Sequence, residues 1–176
     1  MGNDRPQYQD TSKVTIRIAS ASDAIVLARL RYSLRSSLDR PQEKEETFVE
    51  RCKLWMQERL QDGSRWRCWI AEREGIAVGN LWAQLIEKIP NPTFEPEYHV
   101  YFTNFFVRED YRNTGIGSKL FSAALSWSRT QSVHAAILWP TERSRRFYLR
   151  HGVSVTADLM ELKIYDGSNE SAEAKP

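Results

Sequence analysis

The stretch "VREDYRNTGIGSKL", residues 107–120, decides the fold, because it joins two different hydrophobic periodicities through a glycine-containing turn. The aromatic and β-branched run before it predicts a strand, and the amphipathic run after it predicts a helix. The first N–H groups of a helix have no intrahelical acceptor and lie at the positive end of the helix dipole. Gly115 and Gly117 leave room for an approaching anion, and Arg112 adds a guanidinium. The turn is therefore predicted to bind phosphate oxygens.

Three phosphate-binding patterns compete for this turn. A P-loop requires G-x-x-x-x-G-K-[ST], but Lys119 follows Gly117 by two residues and no hydroxyl comes after it. A dinucleotide fingerprint requires a third glycine at the position of Leu120. The third pattern, [RQ]-x-x-G-x-[GA] after a central strand, is matched by Arg112, Gly115 and Gly117. A plain glycine turn before a helix is the alternative to all three.

Helices and strands alternate along the chain in the order β-α-α-β-β-β-α-β-α-β, which predicts one α/β domain on a mixed sheet. Residues 1–12 are predicted to be a flexible N-terminus, residues 13–165 the domain, and residues 166–176 a disordered tail of Gly, Ser, Asn and Glu character. The predicted elements are a strand over residues 13–19, a helix after an N-cap at Ser20 or Ser22, a helix over 45–61, strands over 66–72 and 76–89 around a turn at Gly75, a strand over 98–107, a helix over 116–128, a strand over 135–139, a helix over 142–150 and closing strands over 153–164.

Composition narrows the class of protein. The 176 residues are 41% hydrophobic and 27% charged, with a net charge of +2, which is the balance of a globular domain and does not favour nucleic-acid binding. No apolar run is long enough to span a bilayer, and the N-terminus lacks the apolar stretch of a signal peptide. Cys52 and Cys68 have no CxxC or histidine spacing, so we predict no metal site and interpret both as core residues. A reduced, cytoplasmic compartment is the simplest expectation.

A second motif gives the turn its context. In "SRRFYLRHGV", residues 144–153, the pair Phe147 and Tyr148 stands on a predicted short helix four residues before Gly152. Together with the turn at 112–117 and the surrounding strand-turn-helix-strand-helix order, this motif resembles the GNAT-type N-acetyltransferase superfamily. The resemblance extends from Val14 to about Lys163.

The resemblance implies acetyl-coenzyme A as the cofactor. Its diphosphate would lie on the amides of residues 113–118, and its pantetheine arm would run beside the strand residues before the turn. Thr141 stands where the family commonly has an asparagine, and Ser144 could compensate for it. The implied cofactor-binding residues are Phe105, Phe106, Val107, Arg112, Asn113, Thr114, Gly115, Ile116, Gly117, Ser118, Thr141 and Ser144.

The same resemblance implies a general acid but leaves the general base open. Tyr148 occupies the tyrosine position of the family, whose hydroxyl typically reaches the cofactor sulfur; the alternative is a packed aromatic ring. The backbone N–H of Phe106 or Val107, where the family's strand has a bulge, is the expected oxyanion donor. Tyr101 and Thr103 replace the Glu or His that relatives often carry, and neither is a good base at neutral pH.

Acceptor-binding residues are expected on the first two helices and on the strand over residues 98–107. Period-two alternation places His99, Tyr101, Thr103, Phe105 and Val107 on one face of that strand. Glu97 or His99 could act as a base through water. Carboxylates near the proline-rich connection favour a cationic acceptor, whereas arginines of the first helix, including Arg31, favour a carboxylate-bearing one. The substrate candidates are Tyr32, Arg35, Glu97, His99, Tyr101 and Thr103.

Three functions remain open from the sequence. The first is acetyl-CoA-dependent acetylation of a primary amine, on a small molecule, by direct attack in a ternary complex. The second is a catalytically silent acyl-CoA-binding module, which the missing base and Thr141 keep open. The third is acetylation of protein N-termini or lysines. We expect no nucleic-acid or membrane partner, and a homodimer stays open.

Overall fold

The computed structural model describes residues 13–61, 63–156 and 159–162. The predicted flexible N-terminus, residues 1–12, and the predicted tail, residues 166–176, lie outside the described residues. Turns of 3-10 helix precede α1 at Ala21–Asp23 and α3 at Glu109–Tyr111. The helices and strands are β1 Val14–Ile18, α1 Ala24–Ser36, α2 Glu45–Arg59, β2 Trp66–Arg73, β3 Ile76–Glu87, β4 Tyr98–Val107, α3 Ile116–Thr130, β5 Val133–Ile137 and α4 Glu142–Arg150.

The strands form one five-stranded mixed sheet in the order β1-β2-β3-β4-β5, which confirms the predicted fold class. The first four strands pair antiparallel, and β4 pairs with β5 in parallel through the crossover helix α3. The central strand β3 is buried without interruption over residues 78–83. Within it, a Cβ on Gly79 would lie 2.8 Å from the carbonyl oxygen of Phe106. Glycine is therefore required where β3 closely approaches β4.

Helices cover both faces of the sheet. On one face, α1 and α2 pack against Cys68 and Ile70 of β2 and against Trp82 of β3. On the other face, α3 places Trp127 against Trp69 of β2, with ring centroids 5.4 Å apart. Successive residues of β2 point to opposite faces, so the strand serves both cores. Full burial of such apolar side chains stabilises the fold by about 1.5–3 kcal/mol each.

Strand β4 contains a bulge, which the family resemblance implied near Phe106 and Val107 but which no period of the sequence indicated. Its register against β3 shifts between Asn80 and Trp82, where two residues, Asn104 and Phe105, stand opposite one. Asn104 has a left-handed φ of 48°, which asparagine tolerates better than most residues. The fully buried Asn80 holds the bulge, because its Nδ2 donates a hydrogen bond to the carbonyl oxygen of Asn104 at 2.8 Å.

The bulge changes which face the following side chains take. The ring of Phe105 stacks on Phe121 of α3 with centroids 6.4 Å apart, and Phe102 also contacts Phe121, at 5.6 Å. Phe105 therefore packs with α3. The prediction that it shares a face with Tyr101 and Thr103 is wrong, because the extra residue shifts the period-two alternation by one.

An ion cluster joins β1, β2 and the start of α1. Arg17 donates hydrogen bonds to both carboxylate oxygens of Asp23, at 2.8 and 2.7 Å, and to Glu72 at 2.6 Å. The Asp23 carboxylate also accepts from the backbone N–H of Ser20 at 2.8 Å. Ser20, one of the two N-caps predicted for the helix, is the N-cap of the 3-10 turn that leads into α1, whereas the N-cap of α1 itself is Asp23. The Arg17 hydrogen bond, above all, lowers the pKa of Asp23 from 3.8 to about 2.

The described residues fall into two compact units, one ending at Trp139 and the other beginning at Pro140. The first contains the sheet and α1 to α3, and the second contains α4. Among the described helices, none has the length and apolarity needed to cross a membrane. The predicted closing strands are wrong in their described part, since residues 153–156 and 159–162 form no strand. Alternation alone does not make a strand, because a strand also needs a hydrogen-bonded neighbour.

Candidate active site

The turn between β4 and α3 has the backbone geometry of an anion-binding loop. Asn113 and Gly115 both adopt left-handed φ values, 61° and 86°, in a turn that ends at the N-terminus of α3. When residues in right-handed and left-handed backbone conformations alternate, their successive N–H groups point to one side. These N–H groups then form a concave binding site for an anion. No acidic residue stands in the first turn of α3 to compete with such an anion. The turn therefore fits the diphosphate that the resemblance implies.

Protein contacts hold the turn in this shape. Arg112 Nε donates to the carbonyl oxygen of Val107 at 3.1 Å, and its Nη1 pairs with Glu109 at 2.9 Å. Thr114 Oγ1 donates to the carbonyl oxygen of Tyr111 at 2.6 Å. Part of the guanidinium of Arg112 thus holds the end of β4 against the turn. This structural role was missed when the residue was interpreted only as a charge for the ligand.

The two glycines of the turn differ in their place relative to α3: Gly115 is its N-cap, and Gly117 lies in its first turn. A Cβ on Gly115 would meet no protein atom within 4 Å, so its left-handed φ is what requires glycine there. Gly117 and Ser118 lie in the first turn of α3, whose axis is anchored by Ile116 and Leu120, both fully buried. The anchored helix keeps its N-terminal amides in a constant position relative to β4.

The edge of β4 beyond Tyr101 is open on the side of β5. Within the described residues, pairing with β5 ends at Tyr101 and Ile137, whereas pairing with β3 continues to Val107. The bulge lies just before Phe106 and Val107, where the oxyanion donor was predicted, and these two residues stay in register with β3. In the described sheet, Phe106 and Val107 thus have no partner on β5, which is the arrangement that an extended ligand arm uses.

A cavity of about 390 Å³ lies between α1, α2 and the sheet. Its aromatic lining consists of Phe48, Trp55, Trp66, Trp82 and Tyr101. The remaining lining residues are Arg31, Arg51, Cys52, Met56, Thr103 and Asn104. The structure thus brings two predicted substrate residues, Tyr101 and Thr103, to one cavity.

The other predicted substrate residues do not line this cavity. Tyr32 packs its ring against Phe48, with centroids 5.7 Å apart, and Arg35 is exposed one helical turn beyond Arg31. Glu97 lies just before β4, and its carbonyl oxygen accepts from the backbone N–H of Lys88 at 2.7 Å. Tyr32 therefore lies behind the lining residue Phe48, and the cavity lining includes neither Arg35 nor Glu97.

His99 belongs to a separate histidine cluster at the start of β4. Its ring lies edge-on to His134, with centroids 5.5 Å apart, and His134 contacts Glu95 at 2.7 Å. The Nδ1 atom of His99 is buried and has no hydrogen-bond partner among the described residues. A hydrogen bond from Lys88 lowers the pKa of Glu95. The cavity lining, as far as the chain is described, includes no carboxylate and no histidine.

Burial changes the ionisation of two cavity residues. It lowers the pKa of the Arg31 guanidinium, with Arg35 contributing, and it raises the pKa of the Cys52 thiol. Cys68 is fully buried, as predicted for a core residue, whereas Cys52 is half-buried and lines the cavity. The helical spacing of Phe48, Cys52 and Trp55 in the sequence could have indicated that these residues, which line the cavity together, share one face of α2. That spacing indicates a buried stripe without distinguishing a core from a cavity.

The remaining residues that were predicted to belong to the site lie in the second unit, on α4 or next to it. Tyr148 is 8% exposed, and its ring lies edge-on to Phe147. Thr141 is the N-cap of α4, and its Oγ1 accepts from the N–H of Ser144 at 3.3 Å. The two hydroxyls also hydrogen-bond each other at 3.0 Å. Thr141 and Ser144 therefore have a capping role, whatever they contribute to a ligand.

Solved structures share this fold. A GCN5-related N-acetyltransferase from Ralstonia eutropha superposes with a TM-score of 0.71 at 23% identity, over 85% of this chain and 98% of that one. A predicted acetyltransferase with acetyl-CoA from Clostridium acetobutylicum gives 0.73 at 19% identity, over 85% and 96%. Glucosamine-6-phosphate N-acetyltransferase from Arabidopsis thaliana gives 0.65 at 17% identity, over 86% and 99%.

Sequence comparison identifies the family. No curated protein sequence matches the chain. The profile of the Acetyltransferase (GNAT) family matches residues 30–153, a segment that runs from α1 through the glycine turn to the end of the Phe147–Tyr148 motif. The family profile covers most of the chain, and the solved structures of acetyltransferases share its fold. The protein is therefore an acyltransferase that belongs to the GNAT acetyltransferase family.

Proposed function

We propose that this chain transfers an acetyl group from acetyl-CoA to the primary amine of a small molecule, by direct attack in a ternary complex. The observation that carries the proposal is the turn at Asn113 and Gly115, which leads into α3 beside the open edge of β4. The family uses acetyl-CoA, and the structural relative from Clostridium acetobutylicum contains it.

The residues of the turn and of β4 would hold the cofactor. The amides of residues 113–118 would bind the diphosphate, with Arg112 and Thr114 keeping the turn in shape. Phe105, Phe106 and Val107 would present the backbone edge that the pantetheine arm follows. Acetyl-CoA, when bound, supplies an acetyl group activated as a thioester.

The amine would enter the cavity between α1, α2 and the sheet, which opens onto β4 at Tyr101, Thr103 and Asn104. A primary amine attacks only in its neutral form. The described lining has guanidinium groups but no carboxylate, so a charged ammonium is repelled and the neutral amine is favoured. This electrostatic effect reduces the need for a side-chain base.

Tyr148 is proposed as the general acid. An unperturbed tyrosine phenol has a pKa of about 10, so this residue type holds a proton at neutral pH that it can donate to a leaving thiolate. The proposal rests on its place in the Phe147–Tyr148 motif of the family.

A catalytically silent acyl-CoA-binding module is the second candidate. The observation that favours it is the lack of a carboxylate or histidine in the described lining of the cavity. Such a module would bind acetyl-CoA and transfer nothing.

Two measurements together test the proposal. Acetyl-CoA should raise the melting temperature of the protein, and a panel of amines should increase the release of free thiol over a reaction without amine. Stabilisation without amine-dependent thiol release would support the silent module. The absence of both effects would contradict any role for acetyl-CoA.

A further inference from the structure

The cavity contains a guanidinium that lacks an anionic partner. Arg31 makes no ion pair with any described residue, and its one hydrogen bond is a long one of 3.4 Å from Nη1 to Oδ1 of Asn104. Arg51 also lines the cavity, but it is paired with Glu43 at 2.6 Å. A partly buried charge without a counter-charge is costly, and a ligand carboxylate would offset that cost.

The bulge of β4 positions this guanidinium. Asn104 reaches Arg31 from a left-handed backbone conformation that the buried Asn80 maintains with a 2.8 Å hydrogen bond. A regular strand would alternate and would not turn both Thr103 and Asn104 to the cavity. The arrangement thus maintains a strained residue beside Arg31, a feature that is frequent at functional sites.

Part of the cavity wall is aromatic. The rings of Trp55, Trp66 and Trp82 lie 5.1–6.1 Å from one another and tilt edge to face. A volume of about 390 Å³ lies at the small end of ligand pockets and suits one aromatic ring with a short polar chain. The indole Nε1 of Trp82 is buried without an acceptor among the described residues, so this wall also contains an unsatisfied donor.

We propose that the cavity selects an acceptor amine that also bears a carboxylate and an aromatic or branched apolar body, as an amino acid does. Arg31 binds the carboxylate, and the tryptophan wall contacts the apolar body. The same guanidinium charges disfavour polyamines, because no described lining residue is a carboxylate that could pair with a second ammonium group. This inference rests on the proposed function and specifies its acceptor.

The test uses binding alone, with L-phenylalanine as the probe and acetyl-CoA absent. Three of the chain's six tryptophans line the cavity, so binding should change the tryptophan fluorescence. Alkylation of the half-buried Cys52 should also slow, whereas the fully buried Cys68 should not react. Phenethylamine, which lacks the carboxylate, and spermine, which is a polycation, are the comparison ligands.

Arg31→Gln should weaken L-phenylalanine binding about 10- to 100-fold and should not weaken phenethylamine binding. Arg29→Gln is the matched control, since Arg29 is exposed on the same helix and does not line the cavity, and this variant should bind L-phenylalanine as the parent does. Arg31→Lys should recover only part of the affinity, because an ammonium lacks the planar fork of a guanidinium. Melting temperatures of the variants check that each is folded.

Two binding results would overturn the inference. One is phenethylamine or spermine binding to the parent protein as tightly as L-phenylalanine, a comparison that needs no variant. The other is an equal loss of L-phenylalanine affinity in Arg29→Gln and Arg31→Gln. Failure of the proposed function looks different, because carboxylated amines would then bind without any amine causing thiol release. Thiol release only with amines that lack a carboxylate would contradict the inference and support the proposed function.

Discussion

Asn104 combines three roles in one residue. Its φ of 48° breaks the alternation of β4, its carbonyl oxygen accepts from Asn80, and its side chain accepts from Arg31. Asparagine tolerates a left-handed backbone and still provides a side-chain acceptor, which glycine does not. The residue therefore links the distortion of the strand to the charge in the cavity.

At the same scale, Tyr148→Phe should reduce turnover by roughly 10²-fold or somewhat less and leave acetyl-CoA affinity nearly unchanged. Phenylalanine keeps the shape of this buried ring and removes only the hydroxyl. A thiolate is a tolerable leaving group, so the loss should lie at the low end for general acids. Steady-state kinetics with an acceptor from the thiol-release screen provide the measurement.

The outcome distinguishes the role of general acid from two other roles for Tyr148, packing and cofactor binding. Unchanged turnover would show that the ring only packs. A large loss of acetyl-CoA affinity, seen by titration in the absence of acceptor, would show that the hydroxyl holds the cofactor.

At the scale of elements, the N-terminus of α3 is where a ligand diphosphate would meet the protein. Gly117→Val should abolish the thermal stabilisation by acetyl-CoA, because a branched side chain in the first turn obstructs the approach to its amides. Valine is a better helix former than glycine, so the variant should not melt at a lower temperature without ligand.

Ser122→Val is the control for this change, since Ser122 is exposed further along the same helix. It introduces the same side chain away from the first turn and should keep the full acetyl-CoA-induced shift in melting temperature. Equal stabilisation of parent and Gly117→Val would remove the turn from the proposed binding site.

The ion cluster that joins β1, β2 and α1 predicts a pH dependence of stability. The folded-state pKa of Asp23 is lowered to about 2, so the folded state binds its proton less readily than the unfolded chain does. The contribution of Asp23 to the free energy of unfolding is complete above about pH 4 and is lost as the pH falls toward 2. Arg17 is partly exposed, so solvent screening makes this contribution modest.

Asp23→Asn should therefore make the loss of stability between pH 4 and pH 2 shallower, as measured by urea denaturation at each pH. Glu50→Gln removes an exposed pair with Lys53 and should leave the pH profile as it is in the parent. Parallel profiles for Asp23→Asn and the parent would mean that the cluster does not stabilise the fold.

At the scale of the whole molecule, removal of residues 166–176 should leave the melting temperature and acetyl-CoA affinity unchanged. The Gly, Ser, Asn, Glu and Lys residues of this segment provide too little apolar surface to offset the entropy of ordering it. Differential scanning calorimetry of the truncated and full chains is the direct comparison. A marked loss of stability on truncation would show that the segment packs or mediates assembly.

The sequence by itself determined the order of the elements from β1 to α4, the mixed sheet and the glycine turn. These features depend on local information, namely the period of apolar residues and the backbone freedom of glycine. Arg112, Gly115 and Gly117 form a short-range motif, so their place before α3 could be predicted. Tyr101 and Thr103 could also be assigned to one face, because the alternation of β4 holds up to the bulge.

Only the tertiary structure decided the exact position of the bulge, the absence of strand in the described residues after α4, and the composition of the cavity. The bulge depends on Asn80, which is 24 residues from Asn104 and meets it only when β3 pairs with β4. Trp55, Trp66 and Trp82 come from three elements, and their spacing in sequence does not indicate that their rings meet. Contacts of this kind arise from the packing of distant segments, which no local period encodes.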